Sequence, residues 1–323
     1  MNDVSQRPPV RCPTCLSTET AHLRSYRATL PVGAKIFSGL SINTCRTCSA
    51  SFAYPCPPES VLATYYATDY RAEDDVFRLT SEPGPWSGPS VRARSQIEFV
   101  RTRDKASNRQ KMTSWLDLGA GYGCLLDEVK KHGAVRTGAV EHDEECRRRL
   151  RSNGHEIYDA MNNIGSGWDV ISFSHLLEHL SEPRKFLEQI KELVSDKAYV
   201  FCEVPNDIRI EEAKNDAPHL IFFTARSLSS LFRTAGYEVL AVETCGARVQ
   251  GKASPGFESL LRRVAIRLFH SPPAWLDRFV HRHFHYSKKD DRSWIRLLAR
   301  RLPAALLNSN RLLTFSLPLA FSI

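Results

Sequence analysis

Trp115-Leu-Asp-Leu-Gly-Ala-Gly-Tyr-Gly-Cys124 is an apolar strand that runs into glycines at alternate positions, Gly119, Gly121 and Gly123, and then into the helix-like Leu125-Leu-Asp-Glu-Val-Lys130. Glycine lets the backbone turn tightly and approach a ligand closely, here where a helix N-terminus offers free N–H groups. The stretch therefore points to a small-molecule site at a strand-to-helix turn, with a purely structural turn as the competing reading. Its G-x-G-x-G spacing differs from the dinucleotide fingerprint G-x-G-x-x-G, and it lacks the Lys-Ser/Thr pair of a P-loop.

The next two strand-like runs extend the site. Thr137-Gly-Ala-Val-Glu-His-Asp-Glu-Glu145 reads as a short strand ending in Glu141, 22 residues beyond Gly119. An acid there can accept both ribose hydroxyls of an adenosine. A third apolar run, Asp169-Val-Ile-Ser-Phe-Ser-His175, leads into Leu176-Leu-Glu-His-Leu-Ser-Glu-Pro183. Together with Glu203-Val-Pro-Asn206 and the stretch His219 to Val239, these residues make the chain similar to the class I S-adenosylmethionine-dependent methyltransferases over about residues 113 to 245.

Apolar strand runs alternate with helical patterns from Ser114 onward, which implies a parallel sheet with helices on both faces. Strands are expected near 114–118, 137–141, 156–158, 169–174, 198–204 and 237–244. The fold class is α/β, a doubly wound Rossmann-like sheet with an N-terminal zinc ribbon and a C-terminal helical extension. Ligands in such sheets bind at the carboxyl ends of the strands, which collects Asp117, the glycine loop, Glu141, Asp159 and Ser174 to His179 on one edge. The resemblance implies that Asp117 and the loop Gly119, Ala120, Gly121 and Gly123 hold the methionine end of S-adenosylmethionine, Glu141 the ribose and Asp159 the adenine, with Ser174 beside them. The segment Asp159 to Gly167 departs from the usual pattern of that family.

The N-terminal part carries a different chemistry. Cys12-Pro-Thr-Cys15 and Cys45-Arg-Thr-Cys48 are two C-x-x-C knuckles. Four thiolates at this spacing close a tetrahedron around one structural Zn2+, with a redox pair or iron as alternatives. The other five cysteines, 56, 124, 146, 202 and 245, lack such spacing and read as buried thiols. After the breaker cluster Tyr54-Pro-Cys-Pro-Pro58 comes Val61-Leu-Ala-Thr-Tyr-Tyr-Ala-Thr-Asp-Tyr70. It reads either as an aromatic core stripe or, by the resemblance, as a helix that covers the cofactor. Residues 71–90, rich in Pro and Gly, read as a loop that closes over substrate or links domains. The resulting division is a ribbon at 1–56, a helical and loop cap at 57–112, the cofactor core at 113–247 and a basic helical extension at 248–323.

Methyl transfer from a sulfonium needs positioning and, for a hydroxyl acceptor, a base. His175, His179 and His219 compete for that role. His175 and His179 lie four apart, so one helical turn would aim both at the cleft. Each is also readable as a hydrogen-bonded structural histidine. Around Pro218-His-Leu-Ile-Phe-Phe-Thr224 the chain resembles sugar C-methyltransferases, which carry a Glu-His pair here and also begin with a cysteine-rich zinc domain. Pro218 stands where that family has Glu, and the family's C-terminal part is missing, so O-methylation of a sugar, glycan or other small hydroxylated acceptor is the favoured expectation. C-methylation is the alternative.

With 323 residues, 42% hydrophobic and 25% charged, the chain suits one full globular domain plus additions. The start lacks the apolar stretch of a signal peptide, and no apolar run approaches the roughly 18 residues of a membrane span, so a cytoplasmic protein is expected. Residues 251–323 carry 13 Lys and Arg against 4 Asp and Glu, while the whole chain nets +8. Phe257 to Phe269 and Trp294 to Leu307 have helical apolar spacing with arginines between. Such helices can lie on an anionic membrane surface or pack on the protein with a solvated charged face. Two further readings compete with a small-molecule enzyme. An RNA methyltransferase would use the ribbon and basic tail to grip phosphates, but the fourth strand ends in Ser-His-Leu-Leu-Glu-His instead of the Asn/Asp-Pro-Pro-aromatic motif of base amino-group methyltransferases. A non-catalytic scaffold would not need the intact glycine loop and Glu141.

Overall fold

The structure is a computed structural model that describes residues 9–28, 31–69, 88–103, 112–248 and 292–302. Its N-terminal part comprises β1 (Thr20–Ser25), α1 (Pro31–Phe37), β2 (Ser41–Cys45) and β3 (Ser51–Tyr54), then α2 (Glu59–Thr68) and α3 (Gly88–Arg103). The alternating part begins with β4 (Ser114–Leu118), α4 (Cys124–Lys131), β5 (Arg136–Val140), α5 (Glu144–Ser152), β6 (Glu156–Tyr158) and β7 (Trp168–Ser174). It continues through α6 (Pro183–Ile190), β8 (Val194–Pro205), β9 (Ile221–Phe222), α7 (Ala225–Thr234), β10 (Tyr237–Arg248) and β11 (Arg292–Arg301).

Seven strands form one sheet in the order β6-β5-β4-β7-β8-β11-β10. Neighbours from β6 through β8 are parallel, and β11 alone runs antiparallel to both of its partners. β4 is an internal strand between β5 and β7, and all five of its residues are buried, as a strand covered on both faces requires. One face packs Ile97 and Val100 of α3 with Leu126 and Val129 of α4 against Trp115 and Phe201. The other packs Leu187 and Ile190 of α6 and Phe232 of α7 against Leu116, Ile171 and Phe173, and the same cluster takes in Tyr26, Phe37 and Ile42 of the ribbon. α3, within the segment read as a cap, therefore covers the sheet.

β11 corrects the sequence reading. Residues 294–307 were expected as a basic amphipathic helix, yet 292–301 form an internal strand of the cofactor sheet. The arginine that looked like part of a charged helical face, Arg296, is fully buried and registers opposite Glu203 of β8, which it ion-pairs. The core thus extends beyond residue 247 to take its sixth strand from the chain's last quarter. The other expected helix, 257–269, and the tail from 303 lie outside the described residues. Among the described residues no helix is long and apolar enough to cross a membrane.

The four-stranded sheet has the order β1-β2-β3-β9, so the ribbon borrows a strand from the core. Gly138 on β5 shows how tightly the large sheet is packed: a Cβ there would lie 2.7 Å from Cη2 of the fully buried Trp168. Gly138→Ala is expected to cost about 1–3 kcal/mol by overpacking. At roughly 2–4 °C per kcal/mol, a thermal melt would register that as a drop of several degrees.

Candidate active site

The register of the parallel strands brings the expected cofactor residues onto one edge. Leu118 of β4 pairs with Val140 of β5 and with Phe173 of β7, and Val140 pairs with Tyr158 of β6. The next residue along each strand is Gly119, Glu141, Asp159 and Ser174. These four, distant in sequence, therefore form one row at the carboxyl edge. Gly119 N–H donates to Val140 O at 2.8 Å, which folds the glycine loop back onto this edge. Gly119, Gly121 and Gly123 all have positive φ, and Gly123 is the N-cap of α4. A Cβ at Gly121 would meet no protein atom within 4 Å, so the space against that backbone is open to a ligand. Ala120 lies between them, packed against the α3–α4 cluster.

Glu141 is buried and ordered from within this loop. Its Oε2 accepts from Gly121 N–H at 2.7 Å, and its Oε1 accepts from the N–H groups of His142 and Asp143, both at 2.9 Å. Asp117 faces inward: Trp115 Nε1–H donates to Ser172 Oγ at 2.7 Å, and Ser172 donates to Asp117 Oδ1 at 2.6 Å. Burial raises the Asp117 pKa to about 7 against the lowering effects of Ser172 and the Arg92 charge. Asp117 thus braces β4 to β7 under the loop. Asp159 is exposed and held by Arg147 Nη2 at 2.5 Å, while Arg147 Nη1 donates to Glu141 O at 2.9 Å. Ser174 Oγ accepts from Gln96 Nε2 of α3 at 3.1 Å.

The three candidate histidines do not share a helical turn. His175 has a left-handed backbone, φ 53°, and residues 177–179 form a single 3-10 turn. The turn instead places Glu178, fully buried, between imidazoles. His175 Nδ1 stands 3.2 Å from Glu178 Oε1, and the rings of His179 and His219 meet edge to face with centroids 5.0 Å apart. Burial would push the Glu178 pKa up, but the His175 contact and nearby imidazole charge bring it down to about 2. Burial lowers the pKa of His179 to about 4 and also lowers that of His219. Tyr66 O–H donates to Pro218 O at 3.0 Å, so its oxygen is left to accept from His179 Nδ1–H at 3.2 Å. That arrangement leaves His179 Nε2 as the ring's lone pair.

Glu178, His179 and His219 bring one carboxylate oxygen and two imidazole nitrogens within 4.8 Å of one another, a donor set that could hold a divalent cation. Among the described residues the four ribbon cysteines form the other such group. Cys12 Sγ lies 3.6 Å from Cys48 Sγ and Cys15 Sγ lies 3.5 Å from Cys45 Sγ. Tetrahedral Zn–S bonds of about 2.3 Å impose S···S separations of about 3.8 Å, so the thiols fit Zn2+ with little movement.

Arg92 and Trp294 join Glu203 of the Glu203-Val-Pro-Asn206 stretch without a local sequence signal of their own. Glu203 is fully buried at the end of β8, and burial opposes its ionisation; Arg296 and Arg92 nonetheless hold its pKa down at about 2. Arg92 Nε donates to Glu203 Oε1 at 2.6 Å, and its guanidinium lies 5.3 Å from the centre of the Trp294 ring. Arg92 reaches the site from α3 and Trp294 from β11, elements far from the glycine loop in sequence. Of the aromatic stripe, Tyr65 is buried in the core, Tyr66 enters the site and Tyr70 lies outside the described residues.

Residues 91–242 match the family model described as a methyltransferase domain. The ubiquinone biosynthesis O-methyltransferase of Coxiella burnetii (strain RSA 493 / Nine Mile phase I) is 26% identical over 101 residues, 28% of this chain. The match spans 43% of that relative's length. Among solved structures, the mitomycin 7-O-methyltransferase aligns at TM-score 0.46 and 14% identity over 75% of this chain and 60% of that one. A SAM-dependent methyltransferase from Archaeoglobus fulgidus aligns at TM-score 0.43 and 16% identity over 72% of this chain and 100% of that one.

Proposed function

We propose that this chain, which carries a class I methyltransferase domain over residues 91–242, transfers the methyl group of S-adenosylmethionine to a hydroxyl of a small acceptor such as a sugar, glycan or secondary metabolite. The observation that carries the reading is the row Gly119–Glu141–Asp159–Ser174 at the carboxyl edge, next to a buried pocket of proton-accepting side chains around Glu178. Bound S-adenosylmethionine would supply an activated methyl group. The glycine loop would receive its methionine end, Glu141 its ribose hydroxyls and Asp159 the side where adenine lies. Asp117 supports the loop through Ser172.

On the acceptor side, His219 would take the proton from the acceptor hydroxyl as that oxygen receives the methyl group and the donor leaves as S-adenosylhomocysteine. His179 stands against it, with Tyr66 fixing its tautomer, and Glu178 stabilises positive charge on the imidazoles. Burial of the cluster excludes water that would compete for the proton and the methyl group. An acceptor reached through carbon would call for stronger assistance, and Pro218 occupies the position where sugar C-methyltransferases have a carboxylate.

The acceptor is found by incubating the protein with methyl-labelled S-adenosylmethionine and a whole-cell extract of its own host. The labelled product is then identified by mass spectrometry. An O-methyl product is the expected result. Label on carbon, on nitrogen or on nucleic acid, or no transfer at all, contradicts the reading.

A further inference from the structure

Both backbone groups of His219 lead into the zinc ribbon. Its carbonyl accepts from Tyr26 O–H at 2.8 Å, and its N–H donates to Asp216 O at 2.9 Å. Asp216 is itself held by the ribbon: Arg24 Nη1 and Nη2 each donate to its carboxylate at 2.6 Å, and Arg27 N–H donates to Oδ2 at 2.7 Å. The Asp216 side chain is fully buried in this clamp. Asp216 N–H in turn donates to Arg27 O at 2.8 Å. One residue beyond His219, Leu220 O accepts from Ala53 N–H at 2.8 Å, and β9 then pairs with β3 in the register Ser51↔Phe222 and Phe52↔Ile221.

The ribbon strands are tied together at their other end by the cysteines. Cys12 and Cys15 precede β1, Cys45 closes β2 and Cys48 precedes β3, while Thr20 of β1 registers opposite Cys45. Zn2+ on these thiols would hold β1, β2 and β3 as one unit, with the clamp at the far end of β1 and the β9 contact along β3. The cofactor row, by contrast, is carried by β4 to β7 of the large sheet.

We infer that the zinc ribbon is the positioning element of the acceptor side: through Tyr26, the Arg24–Asp216 clamp and the β3–β9 pairing it fixes where His219 stands, independently of the cofactor edge. Tyr26, Arg24 and Asp216 are then positioning residues, since they act through His219. This inference rests on the reading of His219 as the acceptor-side base for its functional meaning. Its geometric content stands by itself.

The test footprints histidines in the full chain with diethyl pyrocarbonate and reads the modification rate of each by mass spectrometry. The exposed His132 of the cofactor half serves as internal reference. Four samples are compared: zinc-loaded protein, protein stripped by a chelator under reducing conditions, Asp216→Asn and Tyr26→Phe. Local release of the His219 segment should raise the His219 rate about fivefold or more on stripping and in Asp216→Asn, and less in Tyr26→Phe, with the His132 rate constant. S-adenosylhomocysteine affinity should stay within about twofold across the set.

An unchanged His219 rate after zinc removal overturns the inference. So does a parallel rise at His132, or a loss of S-adenosylhomocysteine binding in step with the His219 rate, because either marks general unfolding. Tyr26→Phe removes one hydroxyl from an otherwise intact ring, so a His219 rate equal to the zinc-loaded protein's in that variant removes Tyr26 from the device. If zinc-loaded protein fails to bind S-adenosylhomocysteine, the methyltransferase reading falls, while the footprint still decides whether the ribbon positions His219.

Discussion

Glu141→Ala is expected to abolish measurable S-adenosylmethionine binding in a calorimetric titration. The carboxylate would accept two hydrogen bonds from the ribose, and charge-assisted bonds of this kind contribute about 1.5–3 kcal/mol each. Their joint loss corresponds to an affinity drop of roughly two to four orders of magnitude. The side chain also accepts from Gly121, His142 and Asp143 N–H, so the variant loosens the glycine loop as well as removing the ribose contact. Gly121→Arg separates the two effects. A Cβ at Gly121 meets nothing within 4 Å, so the added side chain starts into open space beside the loop. Binding should be lost there too, with the melting temperature lowered only by the strain of a positive φ, about 1–2 kcal/mol. Wild-type affinity in either variant would remove the glycine loop and Glu141 from the cofactor site.

His219→Ala should have the complementary phenotype. A positioned general base contributes about 10²–10⁴-fold to rate, so turnover on the identified acceptor should fall by that factor. S-adenosylmethionine affinity should stay within about twofold, because the cofactor row lies on strands that His219 does not touch. The substitution leaves the backbone carbonyl in place, so the bond from Tyr26 survives and the ribbon keeps its contact with this segment. Equal turnover in wild type and variant would exclude His219 as the base and pass the role to His179.

The alignment of Gly119, Glu141, Asp159 and Ser174 on one edge was legible because each follows directly on a strand-like run of the sequence, and because parallel strands without a slip in register put those ends in line. Glu141 and the glycines also carry their own spacing. The acceptor side was legible only as a set of names. His175 and His179 were read as neighbours on one helical turn, but with the positive φ of His175 and the short 3-10 turn after it, His175 meets Glu178 while His179 meets Tyr66 and His219. Which histidine faces which partner depends on Tyr66 and the ribbon, contacts made across more than a hundred residues of sequence.

β11 was hidden by its own arginine. In Trp294-Ile-Arg-Leu-Leu-Ala-Arg-Arg301 a charged residue interrupts the apolar positions at a spacing that fits a helix, and only the carboxylate opposite it in β8 makes burial of Arg296 tolerable. That partner, Glu203, lies 93 residues away, beyond the reach of any local pattern. Arg92 is a parallel case, an arginine on a strongly polar helix whose inward face is set by the site it reaches. In both, a buried ion pair formed between distant segments replaces the local hydrophobic signal on which sequence reading depends.

If the glycine loop and its neighbours cradle S-adenosylmethionine, the intact chain binds it and a side chain planted in the loop blocks it. Calorimetric titration of the zinc-loaded full chain with S-adenosylmethionine, alongside Gly121→Arg at the same concentration, tests it most directly. The account predicts one saturable site per chain in the wild type and no heat of binding in the variant. No binding by the wild type, or equal binding by both proteins, would contradict it.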